Sequence, residues 1–189
     1  MQDKLETSCK NKLLFFSPSE NQATYFTNSL IYVCEHNIEG SMGLIINRPV
    51  NIKTEDLFKS LELGPKSELK QKKLLMGGPV NPGAVFILHV AEREWDSTIL
   101  INDHLSLSTS KDILKAISEG KGPSNYLITL GYSGWGAGQL DEELAENAWI
   151  TLPCKIDILF NTHPDELVSA FSKELGFDLQ MVSPDFGSA

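Results

Sequence analysis

Apolar residues fall into short β-rich runs, interrupted by a few stretches with helical spacing. "NKLLFFSP" predicts a first strand ended by Pro18, because proline cannot donate to a ladder. "LIYVCEH" and "SMGLIINRP" flank "NIEG" and predict a β-hairpin. "NIKTEDLFKSLELGP" places Leu57, Phe58 and Leu61 on one helical face, with Thr54 as the expected N-cap and Gly64-Pro65 as the stop. "KLLMGGPV" and "GAVFILHV" predict strands around a Gly-Gly-Pro turn, and "STILINDHLSLS" adds one or two short strands. "TSKDILKAISEG" predicts a helix capped by Thr109 or Ser110 and closed by Gly120.

"SNYLITLGY" is expected to be a buried strand, "GQLDEELAENAW" a short helix and "KIDILF" the last strand. "NTHPDELVSAFSKELG" predicts a helix with Pro164 in its first turn and Gly176 as its cap. From about Gln180 to Ala189 the apolar patterning fades, and fraying is expected. Hairpins mixed with single helices give an α+β class rather than a βαβ repeat. Residues 1–189 read as a single domain with an ordered core from about 12 to 180, since no linker divides the chain.

Charge narrows the partners. With 16 basic and 25 acidic residues the net charge is -9, a field that repels phosphate backbones and anionic membranes. The basic cluster "PKSELKQKK", with Lys66, Lys70, Lys72 and Lys73, is the candidate patch, and it reads first as a solvated face. Arginine occurs only as Arg48 and Arg93, so planar anion recognition rests on one of these two. Cys9, Cys34 and Cys154 lack CxxC spacing and read as reduced thiols. No apolar run approaches the ~20 residues of a membrane span, and residues 1–12 lack a signal-like apolar stretch. A soluble cytoplasmic protein is expected.

The stretch "LGYSGWGAGQL", residues 130 to 140, invites three chemical readings. A nucleophile elbow would place glycine where Trp135 stands. A dinucleotide fingerprint is broken at Gln139, and a phosphate loop lacks its lysine. The following Asp141, Glu142 and Glu143 already occupy the positive end of the next helix, where they are expected to stabilise its terminus. The glycines therefore read as close backbone approach, with Tyr132 and Trp135 packing a corner.

Three separated motifs, "YVCEHNIEGSMGLIINRP", "GGPV" and "GYSGWGAGQLDEELAENAW", together resemble the YqgE/AlgH family of small bacterial proteins over roughly residues 12 to 180. Ser41, Ala137 and Asp141 depart from the usual alanine, proline and glutamate, and "NPG" after "GGPV" leaves that loop's shape open. The resemblance implies a compact α+β fold with a branched, partly barrel-like mixed β-sheet flanked by several helices. It implies less about activity, since the family has no established biochemical function. Some members carry the label of transcriptional regulator. The acidic segment from Gly138 to Asn147 and helices separated by strands argue against direct DNA docking, so regulation would be indirect.

Within these motifs His36, Asn37, Asn47, Arg48, Tyr132, Trp135, Gln139 and Glu143 form the candidate ligand-binding set. One reading gathers them into a pocket with Arg48 as anion clamp. The other is architectural: His36 and Asn37 begin a hairpin loop, Asn47 caps a strand end, and Arg48 pairs with a carboxylate such as Glu143. His36, His89, His104 and His163 lack metal-site spacing, and His89 reads as a core residue, so no metal and no cofactor is expected. No catalytic residue is assigned. The leading expectation is a non-enzymatic module binding a small molecule or a protein. The alternatives are an enzyme with a pocket around Arg48, His36 and Tyr132, and a direct DNA-binding regulator.

Overall fold

A computed structural model describes residues 8–16, 24–65 and 68–182. Among these residues the strands are β1 (Lys12–Phe15), β2 (Leu30–Asn37), β3 (Gly40–Ile45), β4 (Pro49–Lys53), β5 (Lys73–Met76), β6 (Val80–Val90), β7 (Ile99–Leu100), β8 (Leu105–Ser108), β9 (Tyr126–Gly136) and β10 (Ile150–Pro153). The helices are α1 (Thr54–Ser60), α2 (Lys111–Ser118), α3 (Gln139–Ala145), α4 (Ile156–Asn161) and α5 (Leu167–Leu175). The main path of the sheet runs β10-β1-β2-β3-β9-β6-β8-β7. It branches at β9: the C-terminal half pairs antiparallel with β3, while Thr129 and Leu130 pair in parallel with β5. The fold is α+β, a curled half-barrel of mostly antiparallel strands with helices around it.

Both faces of the β1–β3 region are covered, which explains its near-continuous apolar runs. Leu13, Phe15, Tyr32, Leu44 and Ile46 face a core closed by Leu159 of α4 and by Leu167 and Phe171 of α5. The alternate residues Leu14, Ile31, Val33 and Ile45 face a second cluster with Trp135, Leu140 and Trp149. A third core lies under α1 and α2, where Phe58, Ile113 and Ile117 meet Ile87 and Ile128.

The "GGPV" and "GYSGWG" motifs interlock through main chain. A Cβ on Gly77 would lie 2.3 Å from the Gly131 carbonyl oxygen, and one on Gly78 would lie 2.1 Å from the Tyr132 carbonyl carbon. Close backbone passage therefore demands glycine in both motifs at once.

Several elements differ from expectation. "KIDILF" is not the last strand: Ile156–Asn161 is helix α4, with Asp157 in its first turn and Leu159 buried. Periodicity alone cannot separate a short apolar run into strand or helix. The last strand is β10, which pairs antiparallel with β1. Thr54 is the first helical residue rather than the cap, and Lys53 holds the capping position. Ser110 does sit at the N-cap of α2, but its hydroxyl donates to the Asp112 carboxylate instead of accepting a helix N–H. Pro164 opens a short 3-10 turn, Pro164–Glu166, from which α5 continues to Gly176 at φ 78°. "GYSGWG" is strand, and the chain turns at Gly138, φ 73°. Leu179–Met181 is a 3-10 turn with Leu179 buried, so order reaches beyond Gln180. Pro18, Lys66 and residues 183–189 lie outside the described residues.

Candidate functional site

The family-motif side chains occupy three neighbourhoods. At the junction of β9 and α3, one oxygen of Glu143 accepts the indole N–H of Trp135 at 2.9 Å and that of Trp149 at 2.7 Å. Its other oxygen accepts from Gln139, whose own carbonyl accepts the Gly136 N–H. Trp135 and Trp149 meet edge to face at 5.8 Å and Phe26 stacks on Trp135, which makes this an aromatic clasp with its polar atoms engaged. His36 joins from β2. Its Nδ1 accepts the Cys9 N–H at 2.9 Å, which places the proton on Nε2, 3.3 Å from Asp141. Glu143 and Asp141 are thus bound into side-chain contacts, beyond the helix-terminus role expected for them.

At the other end of β3, Asn47 accepts the Leu30 N–H and donates to the Asn28 carbonyl. Arg48 does not pair with Glu143. Its guanidinium donates to the Tyr25 carbonyl at 2.8 Å and to Ser29 Oγ at 2.6 Å, and lies 4.8 Å from the Tyr25 ring centroid. The whole length of β3, Gly40–Ile45, separates these groups from the hairpin turn. There Asn37 donates to Glu35 and accepts the Glu39 N–H. Asn37, Tyr132 and Trp135 border one shallow groove, while Asn47 and Arg48 border a different hollow. The ring of Tyr132 packs edge to face on Phe86 at 5.4 Å.

A deeper cleft of about 460 Å³ lies elsewhere, between α4–α5 and the start of β9. Its apolar wall comes from Ile46, Leu75, Leu127, Leu159, Phe160 and Leu167, drawn from five different elements or their flanks. Across from it runs the lysine segment of residues 70–73, pinned by Gln71. The Gln71 amide donates to the Lys73 and Ile128 carbonyls at 2.8 Å and accepts the Ile128 N–H, extending the ladder of β9 through a side chain. Lys70 donates to the Ser124 carbonyl and Lys72 pairs with the exposed Glu68. Lys73 has no ion-pair partner among the described residues. Tyr126, at the edge of the cleft, has its phenol pushed up by burial, with a Lys70 backbone hydrogen bond opposing, so it stays a neutral donor.

The hollow at Arg48 shares Pro164 and Asp165 with this cleft. The described residues contain no group of three or more His, Cys, Asp or Glu placed to hold a metal ion. Burial pushes up the thiols of Cys9 and Cys34, and that of Cys154 to about 12.

The chain matches the AlgH-like family over residues 13–180. It belongs to that family. A UPF0301 protein of Shewanella loihica is 39% identical over 184 residues, covering 96% of this chain and 99% of the relative. Another from Chromobacterium violaceum is 44% identical over 165 residues, covering 87% and 89%. The solution structure of the AlgH protein from Pseudomonas aeruginosa superposes with a TM-score of 0.77 at 36% identity, covering all of both chains. A Corynebacterium diphtheriae protein at 19% identity, covering 86% of this chain and 85% of that one, shares the fold, TM-score 0.68.

In this AlgH-like chain the first motif reaches the cleft through Ile46 and Pro49, while His36, Asn37, Asn47, Arg48, Tyr132, Trp135, Gln139 and Glu143 do not line it. The signal for the cleft was present in "PKSELKQKK", which charge patterning assigned to solvent. Asn125, Asn161 and Thr162, also on its lining, carried no motif at all.

Proposed function

We propose that this AlgH-like chain is a non-enzymatic cytoplasmic binding module that receives its ligand or partner in the cleft between α4–α5 and the Lys70–Lys73 segment. The observation that carries this reading is the cleft itself: a preformed concavity with a continuous apolar wall and a few polar groups opposite, the usual build of a recognition site. Supporting the non-enzymatic reading, its histidine and carboxylate, His163 and Asp165, face each other at 3.5 Å in solvent rather than inside the cleft wall. His163 Nδ1 accepts the Asp165 N–H at 3.4 Å as the cap of the 3-10 turn, and both side chains are largely exposed. No described helix is long and apolar enough to cross a membrane. Any effect on transcription would be indirect: the net charge is -9, and α4 and α5, which follow one another without a strand between them, bury Leu159, Leu167 and Phe171 and carry only Lys173 as a basic residue.

The test is a thermal-shift screen against metabolites, run in parallel on wild type and on Asn161→Trp, an exposed lining position where an indole would fill the cleft. Compounds that raise the melting temperature of wild type are expected to lose their effect in the variant. Equal shifts in both proteins would place binding elsewhere, and turnover of a hit would overturn the non-enzymatic reading. Salt-dependent retardation of DNA at low micromolar protein would restore direct DNA binding, because that slope reports phosphate contacts.

A further inference from the structure

The cleft inverts the charge of the molecule that carries it. Of its charged lining residues, Lys70, Lys72 and Lys73 are cationic and Asp165 is the carboxylate, in a chain whose net charge is -9. Three lysines within four residues would repel one another on an isolated strand. Gln71 holds them in place by bonding β9 on both its amide atoms. Two of the three are partly committed, Lys70 to the Ser124 carbonyl and Lys72 to Glu68, an exposed pair of little energetic weight. Lys73 keeps all three ammonium donors uncommitted among the described residues. The amides of Asn125 and Asn161 and the hydroxyl of Thr162 line the same cleft, and among the described residues none has a side-chain hydrogen bond.

Resting on the binding-module reading, we infer that the cleft selects a small amphipathic anion, its carboxylate or phosphate head at Lys73 and its apolar body against Leu75, Leu127 and Leu159. The apolar wall alone would accept any hydrophobic body. The lysines decide among heads, since a cationic head would meet like charge at close range, and a neutral head would leave the Lys73 ammonium without a counter-charge. Size and field exclude a polyanion. A nucleic acid would fit one phosphate at the lysines while the rest of its backbone met the field of a chain of net charge -9, whereas a compact monoanion or dianion presents its whole charge inside the cleft. The volume, about 460 Å³, falls within the range of small-ligand pockets.

The probes are decanoate, decyl phosphate, decanol and decyltrimethylammonium, each titrated below its micelle concentration by calorimetry into wild type, Lys73→Gln and Asn161→Trp. Decanoate or decyl phosphate is expected to bind one per chain, about tenfold or more tightly than decanol, with no heat from the ammonium compound. Which of the two anions binds more tightly identifies the head. Shortening the chain should weaken binding by about fourfold per methylene removed. Lys73→Gln should reduce affinity for the anions about five- to tenfold and leave decanol unchanged, and Asn161→Trp should reduce both. Equal binding of anion and cation, indifference to Lys73→Gln, or no binding by any probe would each overturn the inference. If decanol binds as tightly as decanoate and is lost in Asn161→Trp, the charge selection fails while the cleft stands. If the anions bind Asn161→Trp as well as wild type, the cleft itself is wrong.

Discussion

Replacing Glu143 with alanine tests whether the family's "GYSGWGAGQLDEE" signature is an architectural clasp. The carboxylate accepts two indole N–H groups, and Trp135 and Trp149 are each only 6% exposed. At that burial each indole N–H depends on the carboxylate for its acceptor. A hydrogen bond to a charged group contributes about 1.5–3 kcal/mol, and removal also strands the donor. Two such bonds would give about 3–6 kcal/mol, and because Glu143 is itself only half-buried the lower end applies, about 3 kcal/mol. For a chain of this size that corresponds to a fall of roughly 6–12 °C in melting temperature. Urea unfolding followed by tryptophan fluorescence reads both the stability and the altered indole environment. Glu143→Gln, which keeps an acceptor oxygen without the charge, is expected to fall between wild type and alanine. A loss below about 1 kcal/mol for Glu143→Ala, the value of an ordinary exposed carboxylate, would refute the clasp.

Gly78→Ala should destabilise by more than about 4 kcal/mol or abolish soluble expression, because the new Cβ meets backbone atoms that no rotamer change can move. Gly134→Ala, whose nearest contact is 3.2 Å to the Tyr132 ring, should be tolerated within about 1 kcal/mol, and soluble yield with melting curves compares the two. Arg48→Ala should cost about 1–3 kcal/mol by loosening the 24–29 segment, since its guanidinium bonds Tyr25 and Ser29. Arg48→Lys should not restore it, and neither should change affinity at the cleft in calorimetry. His89 is fully buried, donates from Nδ1 to the Val90 carbonyl and accepts at Nε2 from Ser108, and burial holds its pKa below the usual histidine value. Above about pH 6.5 both folded and unfolded forms are neutral. As pH falls below that, the unfolded chain binds a proton the folded one refuses, and stability drops by up to about 1.4 kcal/mol per pH unit. Stability measured from pH 7.5 to 5 should lose this component in His89→Gln, and an unchanged slope would remove His89 as its source.

The fold was legible where burial and periodicity agree. The β2–β3 hairpin, α2 and the Gly176 cap follow directly from apolar runs and glycine placement. "KIDILF" misled because six apolar-rich residues satisfy strand and helix alike, and only packing of Leu159 against the sheet chooses. The glycine motifs signalled close approach in the sequence, but not what approached: Gly78 and Tyr132 are 54 positions apart and meet only through the β6–β9 pairing. Side-chain roles were harder still. Arg48 and Glu143 carry opposite charge in two of the family motifs, yet Glu143 sits on α3 beside the start of β3 and Arg48 follows its far end. The cleft left almost no local trace, since its wall is assembled from single residues of distant elements and its lysines resemble any solvated run until Gln71 ties them to β9.

The most direct test of the cleft as the recognition site is an amide chemical-shift titration of the labelled protein with decanoate. Shifts are expected at residues 70–73, 125–127 and 159–165. Shifts confined to residues 134–139, or to the surroundings of Arg48, would contradict the account.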